Sequence, residues 1–181
     1  GRIAGPENFN AVAVSGAGVC GIDDAGAVLC ASEAAPTLAP VPGLPAMQAI
    51  VGTSSYGGTF CGLDAAASEA WCWESSAAPA EVPGSPAFTT IDIEQGFGAD
   101  GILACGLTAN GAAMCWGDGA LGNGTFGTSE SPVAVSGDHA FVEIAVAGLA
   151  ACGRKSNGEV WCWGRNDEGQ LGIEGPDFPE P

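Results

Sequence analysis

Eight cysteines constrain this chain more than any other feature. They stand at Cys20, Cys30, Cys61, Cys72, Cys105, Cys115, Cys152 and Cys162. Taken in pairs they lie 10, 11, 10 and 10 residues apart, and the first members of successive pairs lie 41, 44 and 47 apart. An even count at regular spacing points to disulfides formed in an oxidising compartment. Zinc sites favour C-x2-4-C knuckles, and the chain has none; its single histidine, His139, falls outside the pattern. A lone cysteine is often just a small core residue, but four pairs at nearly one spacing argue against that for the set.

The pairs mark an internal repeat. Aligned on the first cysteine, the units read Cys20-GIDDAGAVL-Cys30, Cys61-GLDAAASEAW-Cys72, Cys105-GLTANGAAM-Cys115 and Cys152-GRKSNGEVW-Cys162. Each opens Cys-Gly. Gly26, Gly111 and Gly158 share one turn position, and Asn110 and Asn157 precede two of them, a hairpin signal because these residues tolerate positive φ. The second unit has an extra residue and no turn glycine, so its turn must differ. A three-residue turn sets Cys20 opposite Cys30, Cys105 opposite Cys115 and Cys152 opposite Cys162, within disulfide reach. Such staples would offset a core poor in large side chains: apolar residues make up 46% of the chain, but 32 of the 181 residues are alanine.

Upstream of each hairpin lies a strand-like segment: FNAVAVS from Phe9, MQAIVGT from Met47, FTTIDIE from Phe88 and FVEIAVA from Phe141. Each starts with a large apolar residue and continues in β-forming residues. Before each comes a shorter segment ending in a turn, at 2–5, 40–43, 80–84 and 133–137. Four short strands per repeat of about 44 residues point to propeller blades. The expected fold is all-β, a β-propeller or propeller-like array of four four-stranded blades in which the N-terminal strand completes a blade. The array is read as one domain, 1–181, with approximate units 1–38, 39–79, 80–130 and 131–181.

The fourth unit ends Trp161-CWGRNDEGQL-Gly172 and the third holds Cys115-WGDGALGN-Gly124. These resemble the repeat of the regulator-of-chromosome-condensation family, with its W-G-x-N-x-x-G-Q-L-G signature. The matched residues are Trp163, Gly164, Asn166, Gly169, Gln170, Leu171 and Gly172, then Trp116, Gly117, Leu121 and Gly122. The second unit keeps Trp73, and the first has Ala31 there. The resemblance implies a β-propeller, commonly seven-bladed. The family's namesake is a nuclear exchange factor that binds chromatin, which paired cysteines and a net charge of −17 oppose. The secreted branch, similar to the bacterial β-lactamase inhibitory propellers, fits better and implies a pure binder acting through loops on one face.

Charge narrows the partners. Four basic residues against 21 acidic ones leave nothing to displace counterions from nucleic acid or to hold an anionic membrane. No apolar run is long enough for a membrane helix. The chain begins at Gly1 without a signal segment and reads as a processed chain or a fragment. The expected location is extracellular, on a cell surface or periplasmic.

No catalytic constellation is present: one histidine, no nucleophile elbow and no phosphate loop. Catalytic residues, metal and cofactor are all expected to be absent. Asp23, Asp24 and Asp118 read as solvated turn acids, since no D-x-D-x-D-G calcium loop surrounds them, and His139 reads as a solvated turn histidine. The five tryptophans flank second cysteines and read as packing between blades; a sugar-stacking surface is the sharper alternative, and carbohydrate is an improbable partner. Arg165, Asn166, Asp167 and Glu168 form the candidate recognition loop. Asn123-Gly-Thr125 is an N-glycosylation sequon, and residues 74–90 could carry O-linked sugars. The functional expectation is a non-catalytic extracellular module that binds a protein partner. The alternative is a structural subunit of a surface or filamentous assembly, self-associating through blade edges.

Overall fold

The structure, a computed structural model, describes residues 8–54, 58–74, 77–95 and 101–174. They form fifteen strands in four antiparallel sheets, with no helix among the described residues. Two compact units share the sheets, Gly1–Val82 and Pro83–Pro181.

The first unit holds two sheets of four strands in sequential order. One consists of β1 (Phe9–Ser15), β2 (Gly18–Asp23), β3 (Val28–Ser32) and β4 (Ala39–Pro40). The other consists of β5 (Met47–Gly52), β6 (Phe60–Asp64), β7 (Ala70–Trp73) and β8 (Ala80–Glu81). The outermost strands, β4 and β8, are only two residues long; such brevity limits the exposed edge that invites aggregation.

The second unit holds β9 (Phe88–Gln95), β10 (Ile102–Thr108), β11 (Ala113–Ala120) and β12 (Phe126–Ala134) in one sheet. Its other sheet has three strands, β13 (Phe141–Ala147), β14 (Ala150–Lys155) and β15 (Val160–Gly164). Among the described residues this sheet shows three of the four strands expected of a blade. The N-terminal strand expected at 2–5 lies outside the described residues.

The hairpin registers follow the cysteines. Cys20 pairs with Cys30, Cys61 with Cys72, Cys105 with Cys115 and Cys152 with Cys162, and all four pairs are disulfides. Gly26, Gly111 and Gly158 close three of the turns at φ of 81°, 82° and 93°. In the longer second turn Ser68 takes the left-handed conformation at φ 61°. There Asp64 compensates: its Oδ1 accepts the N–H groups of Ala66 and Ala67, and its Oδ2 that of Glu69.

The Cys-Gly step has a packing cause. A β-carbon on Gly106 would lie 2.6 Å from the Phe88 ring, and one on Gly153 2.6 Å from the Phe141 ring. Gly21 stands in the same relation to Phe9. The large residue that opens each inner strand thus lies over the glycine of the next strand. Phe88 also stacks on Trp116 at 5.5 Å, and Phe141 packs on Trp163 at 5.8 Å.

Within each unit one sheet packs face-on against the next. In the first, Ala13, Cys20, Ile22 and Val28 meet Met47, Ile50, Phe60 and Trp73. In the second, Leu103, Cys105, Leu107 and Ala113 meet Phe141, Ile144, Val146 and Trp163. A backbone hydrogen bond repeats at both joints: Met47 N–H donates to the Gly26 carbonyl and Phe141 N–H to the Gly111 carbonyl, each at 2.8 Å. The disulfides of the first and third sheets lie inside these joints, packed among these side chains.

Candidate functional site

The loop after β15 begins at Gly164, whose φ of 110° carries the chain past the Leu149 carbonyl; a β-carbon there would lie 2.5 Å from that oxygen. Arg165 N–H then donates to the same carbonyl at 2.9 Å. Asn166 is buried and holds the loop from inside: its Oδ1 accepts the Leu171 N–H and its Nδ2 donates to the Ile173 carbonyl, both at 3.1 Å. The Arg165 guanidinium makes a two-pronged contact with Asp167 at 2.5 Å. This contact lowers the Asp167 pKa, with a further hydrogen bond from Gln170. Glu168 points outward and its N–H donates to the Gln170 Oε1.

The four expected recognition residues thus divide. Asn166 is framework, Arg165 is half-buried and tied to Asp167, and the carboxylates of Asp167 and Glu168 form the outward tip. The surface this loop presents is acidic.

The tryptophans also divide. Trp73, Trp116 and Trp163, each directly after a second cysteine, are buried. Trp161 is 36% exposed. The Lys155 Nζ lies 4.5 Å from the centre of its ring, and the His139 ring 4.4 Å away. With both neighbours in place, Trp161 is not a bare stacking platform for sugar. His139 departs from the solvated turn residue expected of it: it is half-buried between Trp161 and Phe141, and its Nε2 is buried without a hydrogen-bond partner. The aromatic neighbours, distant in sequence, are what the local turn signal could not reveal.

Asn123 sits in the turn between β11 and β12. Its Oδ1 accepts the N–H and the hydroxyl of Thr125, so the sequon folds on itself in an exposed turn. Asp23 caps its own hairpin through the N–H groups of Ala25 and Ala27. Among the described residues no cluster of three potential metal ligands occurs.

A feature missed in sequence is a cleft of ≈ 410 Å³ in the first unit. One wall is Phe60 and Trp73; the other is built from Ala17, Ala31 and the 39–42 stretch, with Glu74 also lining it. The indole Nε1 of Trp73 is buried without a hydrogen-bond partner. The signal was the run of alanine and proline at 34–42, whose small side chains leave the space open. The cleft is apolar and suits a side chain of a partner better than a polar substrate.

Comparison with known proteins places this geometry. A profile described as "Regulator of chromosome condensation (RCC1) repeat" matches residues 133–170. Among solved structures, human WBSCR16 superposes with a TM-score of 0.74 at 16% identity, covering 99% of this chain and 53% of that one. Prp20p from Saccharomyces cerevisiae, described with its binding to Gsp1p and histones, gives 0.74 at 12% identity, over 97% and 50%. The ectodomain of the receptor kinase CR4 from Physcomitrella patens gives 0.58 at 20% identity, over 86% and 40%. The chain spans about half the length of the first two. No curated protein sequence matches it significantly. At these identities the likeness is one of fold.

Proposed function

Because the chain carries a regulator-of-chromosome-condensation repeat and shares the fold of proteins built from it, we propose that it is a non-catalytic extracellular module that binds a protein partner. The observation that carries this reading is the fourth-repeat loop. A buried asparagine fixes its shape, Arg165 and Gln170 hold Asp167, and Glu168 projects beside it, which is a pre-formed frame presenting an acidic tip. Four disulfides and the near absence of basic residues support an oxidising, extracellular-type setting. Prp20p, of the same fold, is described as binding proteins, and an acidic tip suits a basic surface on a partner here. Asn123 is proposed as the glycan acceptor where the source glycosylates.

The test is affinity capture from extracellular and surface proteins with the intact chain and with the Asp167→Asn/Glu168→Gln pair. A partner held by the first and lost from the second supports the reading. Identical capture by both removes the loop from it.

A second reading, an assembly joined through blade edges, is favoured by β15. β3, β7 and β11 each pair with an outer strand, whereas β15 has none among the described residues.

A further inference from the structure

Repeat equivalence exposes two faces that belong to one joint. On β5 and β13, Ile50 and Ile144 stand opposite the Cys-Gly glycine of their own sheet. Both are 8% exposed, because the preceding sheet covers them. Val12 holds the same position on β1, opposite Gly21, and is 67% exposed. Val14 is equivalent to buried Val146 and is equally open. The first sheet thus keeps the apolar receiving face of a joint.

The fourth sheet keeps the opposite half. Val28 and Ala113 are buried against the following sheet; their equivalent, Val160, is 61% exposed. Cys20, Cys105 and Cys115 are fully buried, whereas Cys152 and Cys162 are half-buried. The repeated backbone bond has its parts here too. Gly158, in the same turn conformation as Gly26 and Gly111, offers the equivalent carbonyl, and Phe9 the equivalent N–H.

Charge complements shape. Ile22 and Ala65 line one crevice across the joint of the first unit. In the repeat alignment Arg154 takes the place of Ile22, and Asp24 that of Ala65. An apolar pair has become a pair of opposite charges. Arg154 is held through its Nε by Glu143 of its own sheet at 2.7 Å and remains exposed.

We infer that these two faces join between copies: the fourth sheet of one chain packs on the first sheet of a second, with Val160 against the Val12 and Val14 face and Arg154 facing Asp24. A second copy is the occupant because the chain itself carries both halves of the joint. The joint uses neither the acidic loop tip nor the β15 edge, so it stands apart from both readings above.

Sedimentation of the full chain, from about 1 µM to about 1 mM, tests this with Val12→Lys and Val160→Lys, both at exposed positions. The intact chain is expected to exceed the 17.7 kDa of one copy, each variant to run as a monomer, and their equimolar mixture to recover a two-chain species through the one joint that neither variant damages. Arg154→Asp and Asp24→Arg alone should each weaken association about tenfold, and R154D/D24R together should restore it. Near-ultraviolet circular dichroism and four intact disulfides in each variant establish that folding is unchanged. A monomeric intact chain over the whole range, or association that survives both lysine variants, overturns the proposal.

Discussion

Asp92 on β9 accepts the backbone N–H of Val146 on β13, its Oδ2 2.8 Å from the nitrogen, so a carboxylate of one sheet grips the inner strand of the next. Its Oδ1 accepts the Ile93 N–H. Burial pushes the Asp92 carboxyl up, against the pull of these two donors, and neighbouring Glu94 adds to the rise.

A raised carboxyl fixes the sign of the pH effect. The folded state favours the protonated form, so this contribution to stability is present below the unfolded value and is lost as pH rises through the folded one. Asp92→Asn keeps an oxygen for Val146 and removes the titration. Its melting temperature should stay flatter than that of the parent chain between about pH 4 and about pH 7. Asp92→Leu should instead cost about 1–3 kcal/mol in acid, where the Asp92 contribution is present, because the Val146 N–H is left buried and unpaired. Thermal melts of the three proteins check both.

Asp64 has the opposite sign. Burial opposes its ionisation, but the N–H groups of Ala67, Ala66 and Glu69 outweigh that and hold its carboxyl below the usual value. Its contribution is present above the unfolded value and is lost as pH falls through the folded one. Asp64→Ala should therefore destabilise the second hairpin at neutral pH, by about 1–3 kcal/mol. The gap to the parent chain should close in acid, as denaturant titrations at the two conditions would show.

The glycine under each opening residue predicts a sharp contrast between two alanine substitutions. Gly106→Ala drives a methyl into the Phe88 ring and should cost about 1–3 kcal/mol. Gly127→Ala on β12 meets nothing within 4 Å and should stay within about 0.5 kcal/mol of the parent. Equal losses from the two would show that the ring contact does not set the glycine requirement.

The disulfides should not be reduced together. Cys105 and Cys115 are both fully buried, whereas Cys152 and Cys162 are half-buried. Differential alkylation under increasing reductant should label Cys152 and Cys162 first and Cys105 and Cys115 late. Losing the third staple should cost about 2.5–3 kcal/mol in the chain-entropy model, which a Cys105→Ala/Cys115→Ala protein would report in denaturant.

Much of the fold is legible in the chain because its constraints are local. Cys105 and Cys115, a turn of three residues and one glycine fix a register without reference to anything distant, and the missing turn glycine of the second unit correctly signals the different turn around Ser68. What needs distant partners is not legible. Trp161 and Trp163 read alike on one strand, yet only Trp163 lies far enough along it to be sealed by the neighbouring sheet. His139 looks like part of a solvated turn until Trp161 and Phe141 close on it. The recognition loop reads as four polar residues in a row; only the partners of Asn166, five and seven residues downstream, separate its frame from its tip. The nine-residue length of the outer strand β12 depends on the turn at 121–125, which returns the chain along β11, and has no periodic signal.

Every disulfide begins and ends within a single hairpin. Eight thiols can pair in about 105 ways, but each native pair also closes one of the shortest loops the chain offers, so oxidation can follow local folding with little sorting. The same arrangement makes each repeat covalently self-sufficient. A gene could gain or lose one by duplication or deletion without orphaning a thiol or crossing a bond into its neighbour. Repeat number is therefore free to change in a way that sheet-to-sheet cross-links would forbid.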